Sequence, residues 1–435
     1  MAMARRRSGA QPRRRWLLAA GSLAIVLAAC GASATAGGLD KSFGSGGAVL
    51  THFGASAVTH AVSVQPDGKI VVAGYSGYHG FVLARYMPSG ALDPGFGMGG
   101  KVLARASSTY EVAYAVAFQP DGKIVVAGSS DANGSTDFAL ARYTKSGALD
   151  RGFGRGGKLL TDFGPSHDDV ATAVALQPDG EIVVAGYSER GLGATKFALA
   201  RYTKSGAPDR GFGSAGKVLT SFGSSAYDTA SAVAVQPDGK IVVAGYSLAN
   251  ATGDFAVARY TKQGALDSSF GTGGTVLTDF GLDDEPDAVA LQPDGKIVVA
   301  GYSNADGGSD FALARYTTSG ALDPGFGTGR TVLTESGSSS DDAAGAAVAV
   351  QRDGKIVVAG YSGSSGTGEV ALVRYTKSGA LDPRFGAAAR VLAHFTSNIT
   401  DGNAVAIQQN GKILLAGPSD VNGSQGFALT RYLSH

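Results

Sequence analysis

Residues Gln65–Ser76 read Gln-Pro-Asp-Gly-Lys-Ile-Val-Val-Ala-Gly-Tyr-Ser, and the same residues recur at Gln236–Ser247 and Gln292–Ser303. Related copies occur elsewhere, so that seven copies are present in the 435 residues. A fixed period of this size predicts a repeat architecture in which each copy is one structural unit. The turn glycines of the seven copies, 54 to 59 residues apart, are Gly68, Gly122, Gly180, Gly239, Gly295, Gly354 and Gly411.

Residues 284–334 contain one complete repeat. In it, Asp-Gly joins two apolar runs, which predicts a hairpin because glycine accepts the positive φ that the turn needs. The second run, Lys296–Gly301, is continuously apolar, as is typical of a strand covered on both faces. Two further runs, Phe311–Tyr316 and Thr331–Thr334, have strand composition. Four antiparallel strands in each of seven repeats predict an all-β, seven-bladed β-propeller over residues 39–435.

The two ends of the repeat region complement each other. Leu39–Thr51 contains only the closing part of a repeat, and that part is missing after Phe427–Tyr432. We therefore expect the N-terminal strand to complete the last blade, because this closes the ring and removes the free sheet edges. A linear solenoid gives no reason for the offset.

The N-terminal residues have the pattern of an export signal. Residues 1–15 are basic and residues 16–29 are apolar. Leu27–Cys30 resembles a bacterial lipobox, and Cys30 is the only cysteine. The pattern predicts a lipoprotein-type signal peptide over 1–29, and a lipidated Cys30 with a flexible tether over 30–38. Residues 13–18 also resemble a twin-arginine signal, and cleavage after Ala36 is the alternative, which would release a soluble secreted protein.

The charge of the remaining chain disfavours nucleic-acid binding. Six arginines lie in the first fifteen residues, and without them 31 basic residues stand against 36 acidic ones. The glycine-rich segment Gly95–Lys101 lacks the Ser or Thr and the following helix of a phosphate-binding loop. Six histidines are scattered without zinc spacing. We expect no catalytic residues, no cofactor and a monomer.

Three recurring units carry a family resemblance: Gln-Pro-Asp-Gly-Lys-Ile-Val-Val-Ala-Gly, Phe-Ala-Leu-Ala-Arg-Tyr and Gly-Ala-Leu-Asp-Pro-Gly-Phe-Gly. Together they resemble the delta-60 repeat family, a bacterial domain of unknown function, over about residues 39–435. The seventh copy departs most, with Gln408–Gly411, and the sixth has Arg352 in place of proline. The resemblance implies a β-propeller and supplies no catalytic residues.

Comparison of the repeats with each other separates two faces. The Pro-Asp-Gly hairpin and the segment from Arg-Tyr to Phe-Gly barely change, whereas the other two connections vary. In an antiparallel blade, alternate connections lie on the same face, so the variable pair marks the face suited to binding. On the constant face we expect structural Arg–carboxylate bonds, because arginine offers a fork that matches carboxylate geometry. The pairs are Arg85–Asp93, Arg142–Asp150, Arg201–Asp209, Arg259–Asp267, Arg315–Asp323, Arg374–Asp382 and, through ring closure, Arg431–Asp40.

Acidic residues recur on the variable face. If the first strand lines the axis, they form a ring at the mouth of the central channel, where they would attract a cation or a basic peptide. A solvated loop rim is the alternative. The candidate ring residues are Glu111, Asp169, Asp228, Asp284, Asp342 and Asp401. Two loops, Asp131–Asp137 and Asn304–Asp310, place oxygens at alternate positions, which makes calcium a candidate ligand beside ordinary turn chemistry.

These features lead to three functional hypotheses. The first is an exported, lipid-anchored propeller that binds a protein or glycan at the cell envelope through its variable loops. The second is an exported hydrolase or lyase with a site at the channel mouth. The third is a structural component of the envelope. The body contains no tryptophan platform for sugars, although tyrosine could serve instead.

Overall fold

The computed structural model describes residues 36–77, 80–104, 110–165, 167–191, 193–223, 227–250, 252–305, 307–335, 347–362, 369–393, 404–421 and 424–435. The predicted signal peptide and Cys30 lie outside these residues. No helix within the described ranges is long and apolar enough to cross a lipid bilayer.

The described residues form 28 strands in seven four-stranded antiparallel sheets, which confirms the predicted seven-bladed propeller. The first three blades consist of β2 (Ala57–Val64), β3 (Ile70–Ser76), β4 (Gly80–Tyr86) and β5 (Lys101–Leu103); β6 (Glu111–Phe118), β7 (Ile124–Ser130), β8 (Asp137–Tyr143) and β9 (Lys158–Thr161); and β10 (His167–Leu176), β11 (Ile182–Arg190), β12 (Thr195–Tyr202) and β13 (Lys217–Thr220).

The remaining blades follow the same order. They consist of β14 (Asp228–Val235), β15 (Ile241–Ser247), β16 (Asp254–Tyr260) and β17 (Thr275–Thr278); β18 (Asp284–Leu291), β19 (Ile297–Ser303), β20 (Asp310–Tyr316) and β21 (Thr331–Thr334); β22 (Ala347–Val350), β23 (Ile356–Ser362), β24 (Glu369–Tyr375) and β25 (Arg390–Ala393); and β26 (Ala404–Ile407), β27 (Ile413–Val421) and β28 (Ser424–Tyr432), with β1 (Ala48–Thr51) as the fourth strand of blade 7.

The N-terminal strand closes the ring as predicted. β1 pairs antiparallel with β28, so that Ala48 lies opposite Thr430. Just before β1, Phe43 is fully buried and packs in a core shared by blades 7 and 1. The Asp40 N–H also donates to the Arg431 carbonyl at 2.8 Å. The first segment of the fold is therefore fixed to the last.

The second strand of each blade is apolar throughout because its two faces meet two different blades. In β19, Ile297 and Val299 pack in a core with blade 4, whereas Val298 and Ala300 pack in the next core with blade 6. All four side chains are 0% exposed. Successive side chains of a strand point to opposite faces, so both must be apolar here. Burying one such aliphatic side chain contributes about 1.5–3 kcal/mol.

The first strands form the innermost layer, since neighbouring first strands contact each other around the whole ring. In blades 1 to 5 a β-bulge interrupts each of them. A bulge inserts an extra residue and re-aims its side chain. The bulge residues are His60, Tyr114, Thr172, Ser231 and Asp287, all partly exposed on these innermost strands.

Candidate functional site

On the constant face, the structure brings together every predicted Arg–Asp pair. In each pair the arginine Nε donates to the aspartate Oδ2 at 2.7–2.9 Å. Each guanidinium also lies over a phenylalanine ring, 4.4–4.7 Å from its centroid. The sequence did not indicate a third contact, in which Nη1 donates to a backbone carbonyl of the following blade. Arg259 reaches Thr318 O and Arg431 reaches Pro88 O, both at 2.5 Å.

This network is repeated around the ring and belongs to the scaffold. Burial alone would raise the pKa of the Asp323 carboxyl, but hydrogen bonds from Lys296 and Gly325 and the charge of Arg315 lower it to about 2. The pKa of each of the other six aspartates is likewise lowered against the effect of burial. All seven carboxylates are thus charged at neutral pH, as structural partners of arginine should be.

The predicted acidic ring is not found at the channel mouth for the four residues that the structure describes. Asp169, Asp228 and Asp284 are 0% exposed and Glu111 is 7% exposed. The aspartates lie at blade junctions, where each accepts the backbone N–H of a phenylalanine that follows the fourth strand of the preceding blade. Glu111 pairs with Lys158 at 3.2 Å. The three aspartates therefore face a neighbouring blade, whereas the partner of Glu111 belongs to its own blade, and all four carboxylates are buried.

Asp342 and Asp401, the other two candidate ring residues, lie outside the described residues.

Some polar groups of the two candidate calcium loops form hydrogen bonds within their own loop. Asn133 Nδ2 donates to Asp137 Oδ2 at 2.8 Å, and Ser309 Oγ donates to Asn304 Oδ1 at 2.7 Å. Asp137 also lies with Asp162 and Asp169 in a cluster of three carboxylates at the junction of blades 2 and 3.

A second site was not predicted: a row of tyrosines around the variable end of the channel, here called the tyrosine arc. Its members come from the ends of second strands, from bulges and from the loops before first strands. Tyr110 and Tyr227 are each 43% exposed. The arc comprises Tyr75, Tyr110, Tyr114, Tyr187, Tyr227, Tyr246 and Tyr302, contributed by blades 1 to 5.

In the first half of the arc, which blades 1 and 2 contribute, ring contacts link the tyrosines to one another. The His60 ring stacks on Tyr75 with centroids 5.5 Å apart and lies 5.1 Å from Tyr114. The hydroxyls of Tyr114 and Tyr110 are 3.3 Å apart. Burial raises the pKa of Tyr114, and the neighbouring Tyr110, Tyr187 and Tyr75 raise it further. Burial lowers the pKa of His60 to about 4. At neutral pH Tyr114 and His60 are therefore uncharged.

In the second half of the arc, which blades 4 and 5 contribute, carboxylates lie beside the tyrosine rings. The Tyr227 and Tyr246 rings meet edge to face at 5.9 Å, and Tyr302 donates to Glu285 Oε2 at 2.5 Å. Burial, followed by Asp283 and Glu285, raises the pKa of Tyr246. On the bulge beside them, burial and then Glu285 raise the pKa of Asp287 well above its ordinary value. The second half thus combines aromatic rings with acidic groups.

One sequence signal could have revealed the bulge residues. The position five residues before the repeat glutamine holds His60, Tyr114, Thr172, Ser231 and Asp287, although its neighbours are almost always alanine or valine. The strand therefore appears wholly apolar unless this one position is compared between repeats. The two remaining repeats have Ala346 and Asn403 there, outside the described residues.

Solved structures with a similar fold include two lyases and an extracellular domain pair. A catalytically inactive virginiamycin B lyase from Staphylococcus aureus with quinupristin has a TM-score of 0.52 and 12% identity, over 88% of this chain and 98% of the lyase. The polysaccharide lyase Uly1 has a TM-score of 0.46 and 11% identity, over 86% and 90%. Domains 1–2 of Drosophila semaphorin 1b have a TM-score of 0.45 and 10% identity, over 89% and 86%. At such identities the likeness concerns the fold alone.

No curated protein matches the chain. A family model matches all seven repeats, at residues 65–96, 119–153, 177–212, 236–270, 292–326, 351–385 and 408–434. These segments cover more than half of the chain. The chain therefore belongs to the family described as domain of unknown function (DUF5122) beta-propeller.

Proposed function

We propose that the protein is an exported binding propeller of the cell envelope, which holds a cationic segment of a partner protein on the tyrosine arc. Export rests on the leader sequence, and attachment to the membrane rests on Cys30. The observation that carries the binding role is the arc itself, a row of partly exposed aromatic rings on the face whose loops vary between repeats. The opposite face is occupied by the repeated Arg–Asp network.

The composition of the arc favours a cation as ligand. The face of a tyrosine ring attracts an ammonium or guanidinium group by about 0.5–2 kcal/mol, depending on how far the pair is desolvated. Carboxylates add to this attraction beside the rings: Asp283 and Glu285 lie near Tyr246, and Asp168 and Glu189 lie near Tyr187. A lysine or arginine of a partner would therefore find both aromatic and acidic neighbours.

The test compares peptides rich in lysine and arginine with acidic peptides and neutral oligosaccharides as ligands of the full chain. We expect basic peptides to bind, with an affinity that falls as salt is added because the carboxylates are screened. Tyr114→Ala should weaken the selected peptide about tenfold or more, as expected for a central aromatic contact. Isothermal titration calorimetry measures both effects.

Leu266→Ala is the matched control, because Leu266 is 39% exposed and lies on the constant face. It should leave affinity unchanged. Equal affinities of Tyr114→Ala and the unmodified protein would contradict the placement of the site. Selection of neutral oligosaccharides alone, with affinities insensitive to salt, would contradict the cationic ligand and favour a glycan.

A further inference from the structure

The junction of blades 4 and 5 contains three carboxylates in contact range of one another. Asp254 begins β16, Asp279 directly follows β17, and Asp284 begins β18 of the next blade. One carboxylate oxygen from each lies within 4.8 Å of the other two. Asp254 and Asp284 are 0% exposed, whereas Asp279 is exposed. The group is thus buried on two sides and open to solvent on the third.

The protein holds these side chains in place without neutralising them. Asn250 Nδ2 donates to Asp254 Oδ2 at 2.6 Å, and the Phe280 N–H donates to Asp284 Oδ2 at 2.6 Å. Oδ1 of Asp254 is inaccessible to solvent and has no hydrogen-bond partner. Among the described residues, none of the three carboxylates pairs with a basic side chain. A buried carboxylate oxygen without a partner is unfavourable, and a bound cation would supply the missing partner.

At the junction of blades 3 and 4, hydroxyl and backbone donors satisfy the buried aspartate. There the equivalent positions hold Lys196, Ser221 and Asp228. Ser247 Oγ donates to Asp228 Oδ1 at 2.6 Å, and Ser221 Oγ and Phe222 N–H donate to Oδ2 at 2.9 and 3.1 Å. Replacing serine by Asp279 at the next junction removes a donor and adds a negative charge.

We propose that Asp254, Asp279 and Asp284 bind a divalent cation of the calcium class, and that Asp137, Asp162 and Asp169 form a second such site. Calcium takes six to eight oxygen ligands at about 2.3–2.6 Å, so oxygens separated by up to about 4.8 Å fit around one ion. The exposed aspartate leaves room for water to complete the shell. The donor set contains no sulfur or imidazole, which suits a hard cation.

Binding would tie one blade to the next below the tyrosine arc. The Gly253 N–H donates to Asp283 Oδ1 at 3.2 Å, and the Gly253 carbonyl accepts from the Asp284 N–H at 2.8 Å. Glycine is needed at 253 because a Cβ there would lie 2.2 Å from the Tyr246 ring. An ion on Asp254 and Asp284 would therefore fix both sides of the loop that packs on Tyr246.

The experiment measures calcium binding by calorimetry and thermal unfolding of the full chain after removal of metal with a chelator. We expect two sites in the unmodified protein, one in Asp279→Ser and one in Asp162→Ser, and none in the double variant. Asp294→Ser, which changes an exposed carboxylate in the hairpin on the constant face, is the control and should keep both sites. Magnesium should bind at least about tenfold more weakly than calcium.

The unfolding temperature, measured with and without calcium, distinguishes a metal ligand from an aspartate whose role is only structural. Without calcium, Asp279→Ser should unfold at a higher temperature than the unmodified protein, because it relieves repulsion and restores a hydroxyl donor as at Ser221. With calcium in excess, the order should reverse. Absence of binding at millimolar calcium, preference for magnesium, or a double variant that binds as well as the unmodified protein would each overturn the proposal.

Discussion

A protein that begins at residue 54 is expected to lose cooperative folding. The deletion removes β1, the fully buried Phe43 and the carboxylate that pairs with Arg431. Truncating one buried phenylalanine typically costs about 3–5 kcal/mol, and here a whole strand is lost with it. β28 would become an open edge able to pair with other chains. Circular dichroism during heating and size-exclusion chromatography would detect the lower midpoint and the association.

Two controls separate ring closure from a general effect of truncation. A protein that begins at residue 36 retains the closing segment and should unfold at the same temperature as the full chain. A synthetic peptide of residues 36–53, added to the truncated protein, should raise its midpoint by occupying the vacant edge. A truncated protein with an unchanged midpoint and no association would show that the first segment does not hold the ring together.

Asp382→Ala is expected to destabilise the protein more than the substitution of an exposed or half-buried charged residue does. Its partner Arg374 is the most buried arginine of the network, with a side chain 1% exposed. The substitution leaves the guanidinium with the Ser434 carbonyl and the Phe385 ring but without a counter-charge. An unpaired buried charge of this kind costs about 3–5 kcal/mol. Equilibrium unfolding in urea measures the loss.

Lys355→Ala is the matched control, because Lys355 contacts the same Asp382 Oδ2 at 3.1 Å from a side chain that is 28% exposed. Such a half-exposed pair contributes about 0–1 kcal/mol. The two substitutions therefore remove different partners of one bond network. Equal losses for both would contradict the view that the buried arginine, and not the number of ion pairs, sets the stability.

The features that recur in every repeat could be predicted from sequence. Apolar runs and turn glycines indicated the four strands, and the offset of Leu39–Thr51 indicated the closing strand, because each repeat supplies an independent copy of the same pattern. The constant spacing of Arg315 and Asp323 indicated a bond within one blade. The donation from arginine to the next blade was not predicted, since spacing along the chain says nothing about which turns meet across an interface.

The variable face was harder to predict because its geometry depends on single residues. The acidic residues at the starts of first strands were expected at the channel mouth, but Asp228 and Asp284 turn toward the preceding blade, where a backbone N–H binds them. The β-bulges that contain Tyr114 and Asp287 were not predicted from the sequence. Asp254 begins one strand and Asp279 follows another, and sequence periodicity does not show that the two lie close together.

A disulfide between β1 and β28 would show directly whether the N-terminal strand completes the last blade. Leu50 lies opposite Ala428. Arg431 N–H donates to Gly47 O at 3.0 Å, so Leu50 and Ala428 form a non-hydrogen-bonded pair, in which side chains lie close. In a Cys30→Ser background, Leu50→Cys with Ala428→Cys should form an intramolecular disulfide in nearly every molecule.

The register-shifted pair Leu50→Cys with Leu429→Cys should form little, because Leu429 packs on the opposite side of the strand, in the core with blade 1. The measurement is the intact mass of the oxidised protein before and after thiol alkylation in denaturant, where buried free thiols also react. We expect complete protection of both thiols in the first variant and alkylation of both in the second. Free thiols in both variants, or disulfides only between molecules, would contradict the closed ring.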